Sequence, residues 1–181
     1  TFLARTLEKA EAGRARAEQL TKGKASSETI RCGTYDADLA TELADADLIF
    51  EALSEDPACK REMFQRVDQH RRPDSIVATV SSGLSIGGMC ADLSDSFKRH
   101  FLGIHLFNPP TMIVGCEMIP HAKTDPGVVA AVRELLTRVL GREVITCADT
   151  PAFAGNRLGF KVLNEVAQLA EEHGVVVMDQ L

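Results

Sequence analysis

His105 and Glu117 are the residues of this chain best suited to moving a proton. His105 follows directly on the apolar run Phe101-Leu102-Gly103-Ile104, which reads as a strand leaving a buried sheet. Asn108, Pro109 and Pro110 then end that strand, because proline removes a ladder donor and fixes φ. An imidazole is therefore expected at a strand end, where loops meet rigid scaffold and chemistry tends to sit. Past the prolines, the stretch from Met112 to Ile119 is apolar apart from Glu117. A carboxylate in such surroundings is costly to bury alone, and His105 is its natural partner. An imidazole titrates near neutral pH, so a His held by an acid suits general-base work.

The elements around this pair alternate between strands and helices. Residues Phe2 to Lys24 place Leu3, Leu7, Ala10, Ala17 and Leu20 at helical spacing, with a basic end at Lys22 and Lys24. Residues 29–34 read as a strand, 37–43 as a short helix and 47–53 as a strand. Asp56 and Pro57 then open a helix reaching about Arg71. Ile76 to Val80 has the continuous apolar character of a strand inside a parallel sheet, and Ser81-Ser82-Gly83 ends it. A less regular helical piece spans Ile86 to Leu93. Asp125-Pro126 opens a helix that Gly141 closes, and residues 144–147 form a last strand. From Pro151 onward the pattern is helical and apolar around more than one face, which requires burial against another domain or subunit.

This alternation predicts an α/β fold, a partial Rossmann-like doubly wound sheet with ligands at the carboxyl ends of its strands. Ser54-Glu55, Ser81-Ser82 and His105 with Asn108 all fall at such ends, which places one site across three neighbouring loops.

Composition narrows the classes. A net charge of −6, one Tyr and no Trp speak against nucleic acid as a partner. The five cysteines are widely spaced without a C-x-x-C pair, so neither a disulfide framework nor a metal site is expected. There is no signal-like leader and no apolar run of membrane-span length. The expectation is an intracellular protein of a reducing compartment, cytoplasm or mitochondrial matrix, with no membrane span. None of the thirteen glycines forms the G-x-G-x-x-G turn of a dinucleotide fold. Either the fold binds no dinucleotide, or the sequence starts after the strands that would carry that turn.

The residues do carry a specific match. Asp47-Leu48-Ile49-Phe50-Glu51-Ala52 with Glu55 and Lys60, the stretch Ala78 to Ile86 around Ser81-Ser82, Gly103-Ile104-His105-Leu106-Phe107-Asn108-Pro109, Glu117, and Asp149 to Leu158 recur in order. In these the chain resembles the L-3-hydroxyacyl-CoA dehydrogenase family over essentially its whole length. It departs from that pattern at Val80, where the family usually has Asn, at Gly83, where it has Ser, and at Ala17, often a CoA-contacting Ser.

The resemblance implies NAD as cofactor and an acyl-CoA as substrate, oxidised at its 3-hydroxyl in fatty-acid β-oxidation or related metabolism. It implies His105 as base, Glu117 as the acid orienting it, and Ser82 and Asn156 as residues at the reacting oxygen. Glu55, Lys60, Ser82 and Asn108 are implied on the cofactor side. Lys24, on a helix over 2–24 that covers the CoA end, is implied in substrate binding together with Ser82. The domain division it implies is an NAD-binding domain over 1–148 and the start of an all-α C-terminal domain over 149–181, whose remaining helices would form the cleft and a homodimer interface. On this view the chain is a fragment, and its 181 residues alone are expected to be inactive. Two other readings stay open: a relative acting on a non-CoA hydroxy or sugar acid, and a truncated binding protein without catalysis.

Overall fold

The computed structural model describes residues 1–21 and 29–180. Thr6 starts the first helix: its side chain accepts the N–H of Lys9, and the capping residue is itself extended. Residues before the cap are therefore strand rather than helix, which corrects the helix expected over 2–24. β1 is Phe2–Ala4 and α1 is Leu7–Leu20. Lys24 lies outside the described residues. β2, Cys32–Thr34, runs parallel to β1 with Phe2 opposite Cys32, and the two form a separate small sheet.

The main sheet has five strands in the order β3-β4-β5-β6-β7. They are Leu48–Glu51, Ile76–Thr79, Phe101–Leu106, Gly115–Pro120 and Glu143–Thr146. β3, β4 and β5 are parallel, whereas β6 runs antiparallel to β5 and β7 is parallel to β6. The sheet is thus mixed, since the apolar stretch around Glu117 folds back as a hairpin partner of the histidine strand. α2 (Leu39–Asp45) and α3 (Pro57–His70) connect the first strands, and α3 begins as its sequence requires, with the Asp56 carboxylate accepting the Cys59 N–H at 2.6 Å.

The irregular stretch after β4 resolves into two short helices, α4 (Ile86–Met89) and α5 (Asp95–Arg99), each capped by a serine hydroxyl. α6 covers Pro126–Glu134 and continues as one wide turn over Leu135–Val139, closed by the Leu140 N–H on the Leu135 carbonyl at 3.0 Å. Gly141 follows at φ 60°, a conformation only glycine adopts without strain.

Apolar side chains cover both faces of the sheet. On one face the rings of Phe97 and Phe101 meet that of Phe64 in T-shaped contacts, with centroids 5.7 Å and 5.0 Å away, among α2, α3 and α4. On the other, Leu102, Ile104 and Met118 meet Val128, Val132 and Leu136 of α6 and its extension. Between the two sheets, β1 and β3 are not paired; a cavity of about 700 Å³ separates them, lined by Phe2, Leu3, Leu48, Ile49 and Leu53. The last helices are α7 (Gly155–His173) and α8 (Val175–Met178). Leu158, Phe160 and Leu163 of α7 stay 60–66 % exposed, so nothing among the described residues covers the face whose burial the sequence demands. No helix among the described residues is long and apolar enough to cross a membrane.

Candidate active site

The antiparallel register of β5 and β6 sets His105 directly opposite Glu117. Cross-strand neighbours lie about 5 Å apart at Cβ, close enough for one hydrogen bond between short side chains. His105 Nδ1 and Glu117 Oε2 are 2.6 Å apart, and both residues are buried, at 5 % and 1 % exposure. Burial alone would push the Glu117 carboxyl up. The hydrogen bonds from His105, the N–H groups of Gly155 and Ala154, and the Cys147 thiol outweigh it and hold the carboxyl below its ordinary value. With Glu117 ionised, Nδ1 carries the imidazole proton and Nε2 is the basic nitrogen. Phe107 and Phe153 flank the ring, their centroids 4.9 Å and 5.8 Å from its own.

Glu55 joins two of the loops foreseen from the sequence. Its Oε1 accepts the Ser81 hydroxyl and, at 2.8 Å, the Ser82 N–H, so the turn after β4 hangs on the turn after β3. Burial raises this carboxyl, but the bonds from Ser81 and Ser82 and the charge of Lys60 leave it below the ordinary range. Asn156, on the first turn of α7, donates through Nδ2 to the Ser82 carbonyl at 2.8 Å. His105, Glu117, Ser82, Glu55 and Asn156 are thereby tied into one region, with Ser82 and Glu55 exposed to solvent. Asn108 stands exposed just past β5. Ser81 acts within the loop, holding Glu55 and the Leu84 N–H.

Lys60 lies beneath Glu55 rather than at the surface. It is fully buried, with Nζ at 2.8 Å and 2.9 Å from the two oxygens of Glu51 and 3.7 Å from Glu55 Oε2. Glu51 completes the cluster by accepting the Thr79 hydroxyl at 2.6 Å and the Leu53 N–H. In the sequence Glu51, a lone acid closing the run Leu48-Ile49-Phe50, carries the same signal as Glu117. Cys147 and the N–H groups of Ala154 and Gly155 carry none. Backbone donors leave no trace in residue type.

The chemistry these groups can do is proton transfer at a buried imidazole beside an open, serine-bearing loop. The residues fit the reacting end of a dinucleotide at the carboxyl edge of the strands. None of the glycines of the chain forms a G-x-G-x-x-G turn for its phosphates. The alternating strands and helices, with this cluster at the strand ends, define a Rossmann-type α/β domain. Residues 1–150 match the family model described as "3-hydroxyacyl-CoA dehydrogenase, NAD binding domain". The chain belongs to this family, whose cofactor is NAD.

Its relatives include a protein named as a probable 3-hydroxyacyl-CoA dehydrogenase in Bacillus subtilis, 42 % identical over 122 residues, covering 67 % of this chain and 16 % of the relative. Another is the 5-formyl-3-hydroxy-2-methylpyridine 4-carboxylate 5-dehydrogenase of Mesorhizobium japonicum, 31 % identical over 80 % of this chain and 46 % of that protein. Among solved structures, FadB2 of Mycobacterium tuberculosis superposes with a TM-score of 0.80 at 26 % identity, covering 94 % of this chain and 62 % of its own. The chain thus spans well under two thirds of the curated relatives it matches.

Proposed function

We propose that the protein containing these residues oxidises an L-3-hydroxyacyl-CoA to the 3-ketoacyl-CoA with NAD, with His105 as the general base. The observation that carries this reading is the buried His105–Glu117 pair, placed beside Ser82 and Asn156 in a chain of this family. His105 Nε2 takes the proton of the 3-hydroxyl, and Glu117 stabilises the imidazolium that forms. NAD supplies the hydride acceptor when bound. Ser82 and Asn156 hold the substrate oxygen in reach of Nε2, while Glu55, Ser82 and Asn108 face the cofactor side. Lys60 acts on that side through Glu55.

In the same reading, residues 1–148 form the NAD-binding domain, and 149–181 begin a helical domain whose apolar α7 face is covered in the whole homodimer. Lys24 grips the CoA end. The setting is acyl-CoA metabolism such as β-oxidation, in the cytoplasm or mitochondrial matrix. The 181-residue chain alone binds NAD weakly or not at all and does not turn over, since its glycines form no phosphate-binding turn. The deciding assay is NADH formation from 3-hydroxybutyryl-CoA by the full-length protein; none, with confirmed NAD binding, would exclude the reading.

The similarity to the pyridine-carboxylate dehydrogenase favours one competitor, a dehydrogenase of a non-CoA hydroxyl compound. Turnover of a small free hydroxy acid, with 3-hydroxybutyryl-CoA left untouched, would select it.

A further inference from the structure

The two oxygens of Glu117 face different parts of the molecule. Oε2 meets His105, while Oε1 accepts the N–H groups of Ala154 at 2.9 Å and Gly155 at 2.8 Å and lies 3.3 Å from the Cys147 thiol. These donors belong to the segment that leaves β7 and starts α7. The same segment is tied to the serine loop: the Ala152 N–H donates to the Gly83 carbonyl at 3.3 Å, and Asn156 to that of Ser82. Gly83 permits this approach, since a Cβ there would lie 3.2 Å from Ala152 Cα.

Ala152 and Phe153 adopt φ of 62° and 51°, a region that costs a non-glycine residue about 1–2 kcal/mol. Phe153 is buried next to the His105 ring. One strained turn therefore touches the base, the orienting acid and the serine loop together.

We propose that Cys147 and the first turn of α7 are positioning elements of the dyad: they hold Glu117 Oε1, so the seating of α7 on the sheet fixes the direction and charge of the carboxylate that His105 meets. Each donor on Oε1 draws negative charge away from Oε2 and weakens its hold on an imidazolium. The group facing His105 from β6 is Glu117 itself. From the segment after β7 comes the Cys147 thiol, which burial and the neighbouring carboxylate push up to about 11, so it stays a neutral donor. Arg157 of α7 shares a shallow cavity with Cys147 and Phe153. No bond is made or broken at these residues; they act through Glu117.

The proposal rests on the dyad being the reacting pair, but its test does not depend on turnover. The His105 imidazole is titrated by NMR in the purified protein without substrate or cofactor, as wild type, Cys147→Ala and Cys147→Ser. Loss of the thiol donor is expected to raise the His105 midpoint by roughly half a pH unit. Serine, which retains a donor, returns it toward the wild-type value.

Gly155→Ala is the second probe. A Cβ there would lie 2.6 Å from Phe107 Cζ, so either that ring turns aside or the start of α7 shifts off Oε1, and a shift of α7 raises the midpoint further. If that variant does not fold, the cysteine pair decides. An unmoved midpoint in Cys147→Ala, or equal midpoints for the alanine and serine variants, overturns the proposal. Shifted midpoints in a protein that oxidises no hydroxyacyl-CoA would instead remove the functional reading and leave the positioning role standing.

Discussion

Glu51 and Glu117 are both buried carboxylates on the main sheet, and each is paired with a nitrogen base. Around Glu51 the partner is an ammonium: Lys60 reaches both oxygens, Thr79 and Leu53 donate as well, and no side of the group is left for a ligand. Around Glu117 the partner is an imidazole, a group that can both take and give a proton and whose second nitrogen faces away from the acid. A fixed charge pair joins β3, α3 and β4 into a frame, while a titratable pair can pass a proton. Burial and pairing therefore do not distinguish a reacting acid from a structural one; the nature of its partner does.

Four experiments would break or sharpen this contrast. His105→Gln in the full-length protein is expected to lower kcat by about 10²–10⁴-fold and leave the KM for acyl-CoA nearly unchanged. Unchanged turnover would put His105 on the structural side with Glu51. Lys60→Met leaves a buried charge on Glu51, with an expected loss of ~3–5 kcal/mol in denaturant unfolding. Adding Glu51→Leu to that variant should recover most of the loss, because the frame needs volume and neutrality more than charge. If the double variant is as unstable as the single one, Glu51 has a role beyond the pair.

The third experiment uses pH. Glu117 has a folded carboxyl below its ordinary 4.5, so it contributes stability that is complete above that value and declines as pH falls through its folded value. His121 is pushed below its ordinary 6.5, mainly by burial, with Nε2 at 2.9 Å from the Lys98 carbonyl. Its neutral form is favoured by folding, so stability is complete above 6.5 and declines as pH drops from there. Unfolding midpoints followed from pH 8 down through the acid range well below 4.5 should thus show two successive losses. A His121→Asn variant should lose the upper one and keep the lower. The smallest effect is expected at Ala152, where glycine relieves a left-handed φ and should add about 0.5–1 kcal/mol of stability. A destabilised Ala152→Gly protein would show that the turn holding the Glu117 donors gains more from stiffness than it loses in strain.

Much of this arrangement was legible from side-chain type. His105 and Glu117 stood out because each interrupts an apolar run, and an interruption must find a partner once the run is buried. The helix starts at Asp56-Pro57 and Asp125-Pro126 were readable for the same local reason, a cap followed by a residue that lacks an N–H. Phe2–Ala4 is not legible as a strand because three residues are too few to show a period, and the Thr6 cap after it depends on one side-chain bond. The return of β6 against β5 rests on pairing between distant residues. The apolar stretch around Glu117 is equally compatible with a strand in either direction. The Ala154 and Gly155 donors, and the burial of Lys60, depend on tertiary placement alone.

The hairpin register has a consequence for evolution and engineering. His105 and Glu117 face one another because of the ladder, with Leu106 opposite Cys116 and Ile104 opposite Met118, and not because of the length of chain between them. Residues 107–114 are anchored at few points, among them the Pro110 and Ile113 carbonyls that accept from Arg142. The tip around Thr111 and Met112 is therefore a place where residues could be inserted, or a reporter grafted, while the proton-transfer geometry stays in register.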